Sequence, residues 1–223
     1  MNPHVKQFQS YGMKLVPLNP DTKKPQTKLC KDGKYHWKPE HGVTWTDEDL
    51  EKATTVGVMH KESNIIDVDL DSPEAQKFIH MLPESLTIGK KINGRPVATH
   101  KLYSYDGTCK TESFGKNTDD GCQIELLTNT QTRVVGDRII LNDVKPKKLT
   151  FTEFNNLKNI IKKIYTLAIL TKYYPKEGIH KRDEFVFRVA GTLAYECKHW
   201  ELHEKEDFLE QLLTVNGDTK EFQ

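Results

Sequence analysis

Asn64-Ile65-Ile66-Asp67-Val68-Asp69-Leu70-Asp71 is the stretch that decides how this chain is read. Side chains alternate along a strand, so Asp67, Asp69 and Asp71 share one face while Ile66, Val68 and Leu70 take the other. The apolar residues demand burial, but carboxylates in a row repel one another and are costly to bury without a counter-charge. The strand is therefore expected in a core, with its acidic face turned toward something cationic. A divalent metal suits it, because Mg²⁺ is held by one or two carboxylates together with substrate phosphates. The competing reading is a strand that runs into an acidic turn, with Asp71 capping the next helix.

Outward from this stretch the chain carries 223 residues, enough for one large domain or a principal domain with a small appendage. Thirty-three basic against 32 acidic residues leave a net charge of +1, which excludes a uniformly basic protein but not a local basic groove. The cysteines at 30, 109, 122 and 197 form no Cys-x-x-Cys pair, so no structural zinc and no disulfide framework are expected. Neither a secretory core nor a membrane-length apolar run is present, and a cytoplasmic location is the expectation.

Before the acidic strand, Val5, Phe8 and Tyr11 stripe a short helix after Asn2-Pro3, and Met13 to Leu18 reads as a strand. Residues 19–45 are turn-rich and lysine-bearing. Thr46 with Asp49 resembles a capping box. Val56 to Met59 is an expected strand that would turn through Lys61–Ser63 into the acidic strand as a hairpin. After Asp71, Ser72-Pro73 opens a helix whose buried stripe is Phe78, Ile79 and Leu82. Gly89 to Pro96 is expected as a basic loop bearing Lys90, Lys91 and Arg95. Strands follow at Val97–Tyr105 and Cys122–Leu127, separated by a polar loop over 106–121, and Arg133–Leu141 looks like a hairpin turning at Gly136-Asp137.

The pattern then becomes helical. Thr150 and Glu153 form a capping box, and Phe154, Leu157, Ile160, Ile161, Ile164, Leu167 and Ala168 recur at helical spacing. Asp183 is expected to cap a second helix, and a third is placed over Glu204 to Leu213. A boundary near residue 148 would divide a mixed α/β domain, 1–148, from a small helical module, 149–223.

Strand positions thus supply Asp67, Asp69, His100 and Glu125. Glu125 lies between Ile124 and Leu126, where an unpaired carboxylate would be costly, and a metal would explain it. Residues two apart on a strand are separated by roughly 6.6 Å, which suits carboxylates reaching around a metal pair about 3.5–4 Å apart. His100 is readable as a satisfied core imidazole, or, beside Lys90, Lys91 and Arg95, as part of a phosphate-binding wall.

Tyr11-Gly12-Met13-Lys14-Leu15-Val16-Pro17-Leu18, Lys23-Lys24-Pro25, Val56-Gly57-Val58 and Asp67-Val68-Asp69, in this order, resemble the opening of bifunctional DNA primase-polymerases of the archaeo-eukaryotic primase superfamily. His100 with Tyr103 resembles that family's histidine motif, and Gln123-Ile124-Glu125-Leu126 its third, acidic motif. The resemblance covers residues 8 to about 141. It implies an α+β fold, a primase-like catalytic core with an RNA-recognition-like subdomain, followed by a small all-helical module. It implies that Asp67, Asp69 and Glu125 bind two Mg²⁺ or Mn²⁺ ions and that His100 contacts the triphosphate of an incoming nucleotide. Lys24, Lys90, Lys91, Arg95 and Lys101 would lie near phosphates, and Arg133, His180, Lys181 and Arg182 near a template. The tail stretch Gly178-Ile179-His180-Lys181-Arg182 with Ala190-Gly191-Thr192-Leu193 resembles the helical domain behind such cores. The implied partners are single-stranded DNA template, primer and nucleoside triphosphates, with a replicative helicase as a further one, in plasmid, phage or mobile-element replication. The sequence departs from the family in the approach to the histidine, Asn93-Gly94-Arg95-Pro96-Val97-Ala98-Thr99, which lacks a double glycine, in Thr130-Gln131-Thr132-Arg133 after the acidic motif, and in lacking a zinc-binding element.

The same four residues also permit a metal-dependent nuclease, although Glu125 is followed by Leu126 and Leu127 rather than by a Glu-x-Lys pattern. A non-catalytic replication protein that only binds single-stranded DNA is the third reading.

Overall fold

The computed structural model describes residues 3–115, 121–176 and 179–218. Within it the chain divides into two compact units. The first holds residues 1–69, 84–112 and 125–155, and the second 70–83, 113–124 and 156–223.

The first unit opens with α1 (Pro3–Ser10), which buries Val5 and Phe8 at helical spacing. It then builds a small antiparallel sheet in which β4 (Val56–Met59) lies between β1 (Leu15–Pro17) and β10 (Gln131–Val135). Between β1 and β4 come the two-residue strands β2 (Lys28–Leu29) and β3 (Tyr35–His36), which pair with each other, and α2 (Asp47–Lys52). The Thr46/Asp49 box closes as expected, with each side chain bonded to the other residue's backbone N–H.

The larger sheet has at its centre β5 (Ile65–Leu70), antiparallel to β7 (Arg95–Ser104), which pairs in turn with β6 (Leu86–Ile92). Beyond β6 lies β11 (Ile139–Asn142), beside β7 runs the short parallel β12 (Lys147–Lys148), and on the other side of β5 stands β9 (Ile124–Leu127). A further short strand, β8 (Glu112–Phe114), lies between β7 and β9 in the chain. Ile65, Leu86, Ile88 and Leu102, on the β5 face that also carries Asp67 and Asp69, pack in one cluster with Leu15, Val56, Val58 and Val134 of the small sheet. The acidic face thus looks toward the space between two sheets rather than toward an open edge.

Three expected turns come out differently. β4 and β5 do not form a hairpin: one helical turn, α3 (His60–Ser63), ends on the left-handed Asn64 and carries the chain from the small sheet to the large one. Gly136-Asp137 does not close a hairpin either, because β10 pairs in the small sheet and β11 in the large one. Gly89–Pro96 is no loop. β6 and β7 run into each other with Ile92 opposite Arg95, and Asn93 and Gly94 at φ 50° and 78° make the two-residue turn. Positive φ at both central positions suits the right-handed twist of the flanking strands, and Asn-Gly is its favoured pair.

In the second unit, Ser72 accepts from the Ala75 N–H and caps α4 (Pro73–Gln76). The expected longer helix is interrupted. A 3₁₀ turn over Ile79–Met81 follows α4, and Phe78 and Leu82 are buried beside it. Among the described residues three long helices follow. The first, α5 (Phe151–Lys172), begins in the first unit at the Thr150/Glu153 box, in which Thr150 N–H donates to Glu153 and Glu153 N–H to Thr150. Then come α6 (Ile179–Glu196), inside which Asp183 lies rather than at its cap, and α7 (Leu202–Val215), opened by a box of Glu201 with Glu204. The loop expected over 106–121 and the tail stretch beginning at Gly178 fall partly outside the described residues. The protein is a mixed α/β core followed by helical elements. Among the described residues no helix is long and apolar enough to cross a membrane.

The β6–β7 register has a bulge at Ile88/Gly89, and a β-carbon added to Gly89 would stand 2.1 Å from the carbonyl oxygen of Val97. Backbone cannot yield there as a side chain would. Gly89→Ala is expected to cost about 2–3 kcal/mol, in the range of overpacked cores, and to lower the melting temperature by roughly 4–12 °C. A thermal melt of the variant within a degree of wild type would refute the close approach.

Candidate functional site

The site grows from the centre of the large sheet. Asp67 lies opposite Leu102 and Asp69 opposite His100, so the three polar side chains occupy one face of two neighbouring strands. The Asp67 carboxylate is wholly buried. Its Oδ2 accepts from His100 Nδ1 at 3.0 Å and from the Thr132 hydroxyl of β10 in the opposed sheet. Asp69 Oδ1 stands 3.4 Å from the same His100 nitrogen. Burial alone would lower the His100 imidazole, but the two carboxylates outweigh it and hold the ring's pKa above the ordinary value, against a smaller opposing push from Arg138. Burial would likewise raise Asp67, yet the charge and hydrogen bond of His100, with help from Thr132, keep it below the usual carboxylate range. Each partner thus favours the charged form of the other.

His60 extends this chain of bonds. Its Nε2 lies 2.8 Å from Thr132 Oγ1. Since the Thr132 hydroxyl proton goes to Asp67, the oxygen must accept from His60, which fixes His60 as the neutral tautomer protonated on Nε2. Burial accordingly pushes the His60 pKa down to about 4, although Asp67 pulls it up. The resulting line, His60–Thr132–Asp67–His100, ties the two sheets together through polar groups.

Toward the rim of the same face the character changes. Asp69, Asp71 and Glu125 each bring a carboxylate oxygen within 4.8 Å of the others'. Asp69 and Asp71 follow from the period of two, and Glu125 stands on the adjacent β9. Asp69 and Glu125 are half-buried and Asp71 is exposed. A set of three oxygen donors suits a hard divalent cation such as Mg²⁺, Mn²⁺ or Ca²⁺ and offers neither sulfur nor nitrogen to select zinc or copper. Asp67, expected among the ligands, stands beside this group with Oδ2 engaged as described, while its Oδ1 is buried without a hydrogen-bond partner. That orphaned oxygen fits a cation nearby.

The other expected residues scatter. Lys90, Lys91 and Arg95 are exposed on the arms of the β6–β7 hairpin rather than in a loop beside His100. Lys101 is one residue from His100 and so faces the opposite side of the sheet, where Glu84 offsets some of the burial that lowers its pKa. Lys24 is exposed in a tight turn closed by Asn19. Arg133 is buried with its Nη1 on Asp137. His180 and Lys181 are exposed on α6, whereas Arg182 donates to the carbonyls of Pro175 and Lys176. His60, Thr132 and Arg138 were not foreseeable as site neighbours, because nothing in a local period shows which strands oppose each other across two sheets. Asp71 was foreseeable from alternation. No protein-family model matches the chain, and a search of curated proteins gives no match.

The neutral, buried His60 has a consequence for stability. Its folded pKa lies below the unfolded value, so the unfolded chain binds the extra proton between about pH 4 and 6.5. Stability from this group is full above pH 6.5, falls as pH drops toward 4, and amounts to about 3 kcal/mol in total. His100, with the opposite shift, gains its stability above pH 6.5 as the pH falls toward that value, and adds a constant amount below it, so the loss toward pH 4 belongs to His60. His60→Gln is therefore expected to lose less stability than wild type between pH 7 and pH 5. Urea melts at both pH values check this, and identical pH slopes for the two proteins would contradict it.

Proposed function

We propose that the chain catalyses template-directed nucleotidyl transfer, extending or starting a nucleic-acid strand as DNA primase-polymerases do. The observation that carries this reading is the Asp69/Asp71/Glu125 carboxylate group beside a histidine whose pKa Asp67 and Asp69 raise against its burial. Divalent ions bound there would lower the pKa of a primer 3′-hydroxyl and neutralise charge on the triphosphate. The protein's own share is positioning. Asp67 holds the His100 ring through Nδ1, which leaves the second N–H of the imidazolium to donate to a phosphate oxygen. Preorganised donors of this kind act where charge develops and need no reorientation during reaction. Lys90, Lys91 and Arg95 are an exposed cationic complement on the hairpin for nucleic-acid phosphates. The ordered resemblance of Asp67-Val68-Asp69, His100 and Gln123-Ile124-Glu125-Leu126 to primase-polymerase motifs supports the choice of this reaction over hydrolysis.

The test is a labelled primed template with ribo- or deoxynucleoside triphosphates and Mg²⁺ or Mn²⁺, with and without primer. Metal-dependent incorporation is expected, reduced at least ~10²-fold in Asp69→Asn and in Glu125→Gln, variants that remove charge without removing volume. His100→Gln is expected to lose about 10–100-fold in efficiency at limiting nucleotide, the value of a charge-assisted contact. Shortening of the labelled strand in place of growth would assign the site to a nuclease. Binding with neither would leave a single-strand-binding protein.

A further inference from the structure

At the other end of β5 from the carboxylates lies a cavity of about 510 Å³, wholly within the first unit. Its wall includes Ile65 and Ile66, so it is separated from Asp69 by three to four residues of strand, on the order of 10–13 Å. Two features set its chemistry. Among the described residues the wall contains Lys61 and Lys110 and no Asp or Glu, and the neighbouring Asp106, which Asn64 contacts, is paired with Lys148. Among the described residues the Lys61 ammonium pairs loosely at the surface with Glu40, at 4.0 Å, which leaves its charge available. His60 is also part of the wall, fully buried, and its Nδ1 has no hydrogen-bond partner. Because Nε2 carries the proton given to Thr132, Nδ1 is a bare acceptor that calls for a donor.

We propose that this cavity binds a small phosphorylated molecule of nucleoside-monophosphate size, whose phosphate meets Lys61 and Lys110 and whose hydroxyl or amino group donates to His60. The volume lies in the range of ordinary small-molecule sites. Asn64, Thr128 and Asn129 add neutral polar groups of the kind that orient a sugar. The donor to His60 would extend the line His60–Thr132–Asp67–His100 by one bond, so that occupancy is felt at the imidazolium. The site stands independently of nucleotidyl transfer, since it needs neither metal nor the carboxylate group.

The experiment is calorimetric titration of the full chain in excess EDTA with adenosine 5′-monophosphate, ribose 5-phosphate and inorganic phosphate. Saturable one-to-one binding of an organic phosphate is expected. The double charge reversal Lys61→Glu/Lys110→Glu should weaken it on the order of 10–100-fold with an unchanged melting temperature, because Lys110 is exposed and Lys61 lies at the surface. His60→Gln should weaken the organic phosphates and not inorganic phosphate. Glu125→Gln should bind as wild type, which separates this site from the metal group. No saturable binding of any probe at millimolar concentration overturns the proposal. So does binding indifferent to the lysine reversal, binding lost with Glu125→Gln, or inorganic phosphate binding as tightly as the monophosphate.

Discussion

The ion pair between Asp67 and His100 is the constraint on which the rest of the structure depends. A carboxylate with no exposure, on the central strand of a sheet, would carry a desolvation cost of several kcal/mol if left alone. It is tolerated because a histidine on β7 and a threonine on β10 both deliver protons to the same oxygen. The first partner requires the β5–β7 register in which Asp69 stands opposite His100. The second requires the small sheet to lie over that face with Thr132 opposite Val58 on β4. A slip by one residue in either pairing would turn a partner to the opposite face and strand the charge. The hydrophobic cluster of Leu15, Val58, Leu86 and Leu102 drives the sheets together, and the polar line selects one way of stacking them.

From this anchor a gradient runs along one strand face. Asp67 is sealed and has its charge answered by His100 and Thr132, whereas Asp69, Asp71 and Glu125 lie toward the rim as a group of oxygen donors that could hold a divalent cation. The same alternation that places two aspartates on one face explains the contrast between His100 and Lys101. Neighbours in sequence, they point to opposite sides, and only His100 meets the carboxylates. Charge in this region is therefore not a diffuse acidic field. It is divided, strand position by strand position, between groups that hold the fold and groups that can hold a cation.

Much of this was legible locally. The period of two in Ile65–Asp71 places the acidic and apolar faces, and Thr46/Asp49 and Thr150/Glu153 mark helix starts that the backbone uses. Asn93-Gly94 carried a hairpin signal as strong as any in the chain, and reading the surrounding lysines as a loop passed over it. The other misreadings have a different cause. Val56–Met59 followed by Ile65–Leu70, and Gln131–Val135 followed by Ile139–Asn142, look like hairpins because each is two apolar runs around a short turn. Whether the second run pairs with the first or crosses to another sheet depends on partners distant in sequence, and no local period encodes that choice. The polar line from His60 to His100 is hidden for the same reason, since its members are brought together only by the crossing.

Those two crossings are what give the polar line its reach. α3 carries the chain out of β4 into β5 and leaves His60 at the seam of the two sheets, hydrogen-bonded inward to Thr132 and bordering the cavity on its other side. A hairpin in place of α3 would have put residue 60 in a turn in the solvent. In the observed arrangement His60 and His100 flank a single buried aspartate: burial, with a smaller push from His100, lowers the pKa of His60, whereas Asp67 and Asp69 raise that of His100 against its burial. Protonating His60 would put a second cation against Asp67, weaken its hold on His100 and oppose the charge at the site. Depressing the His60 pKa to about 4 keeps that conflict out of the neutral range. Burial of one histidine thereby protects the charge of the other.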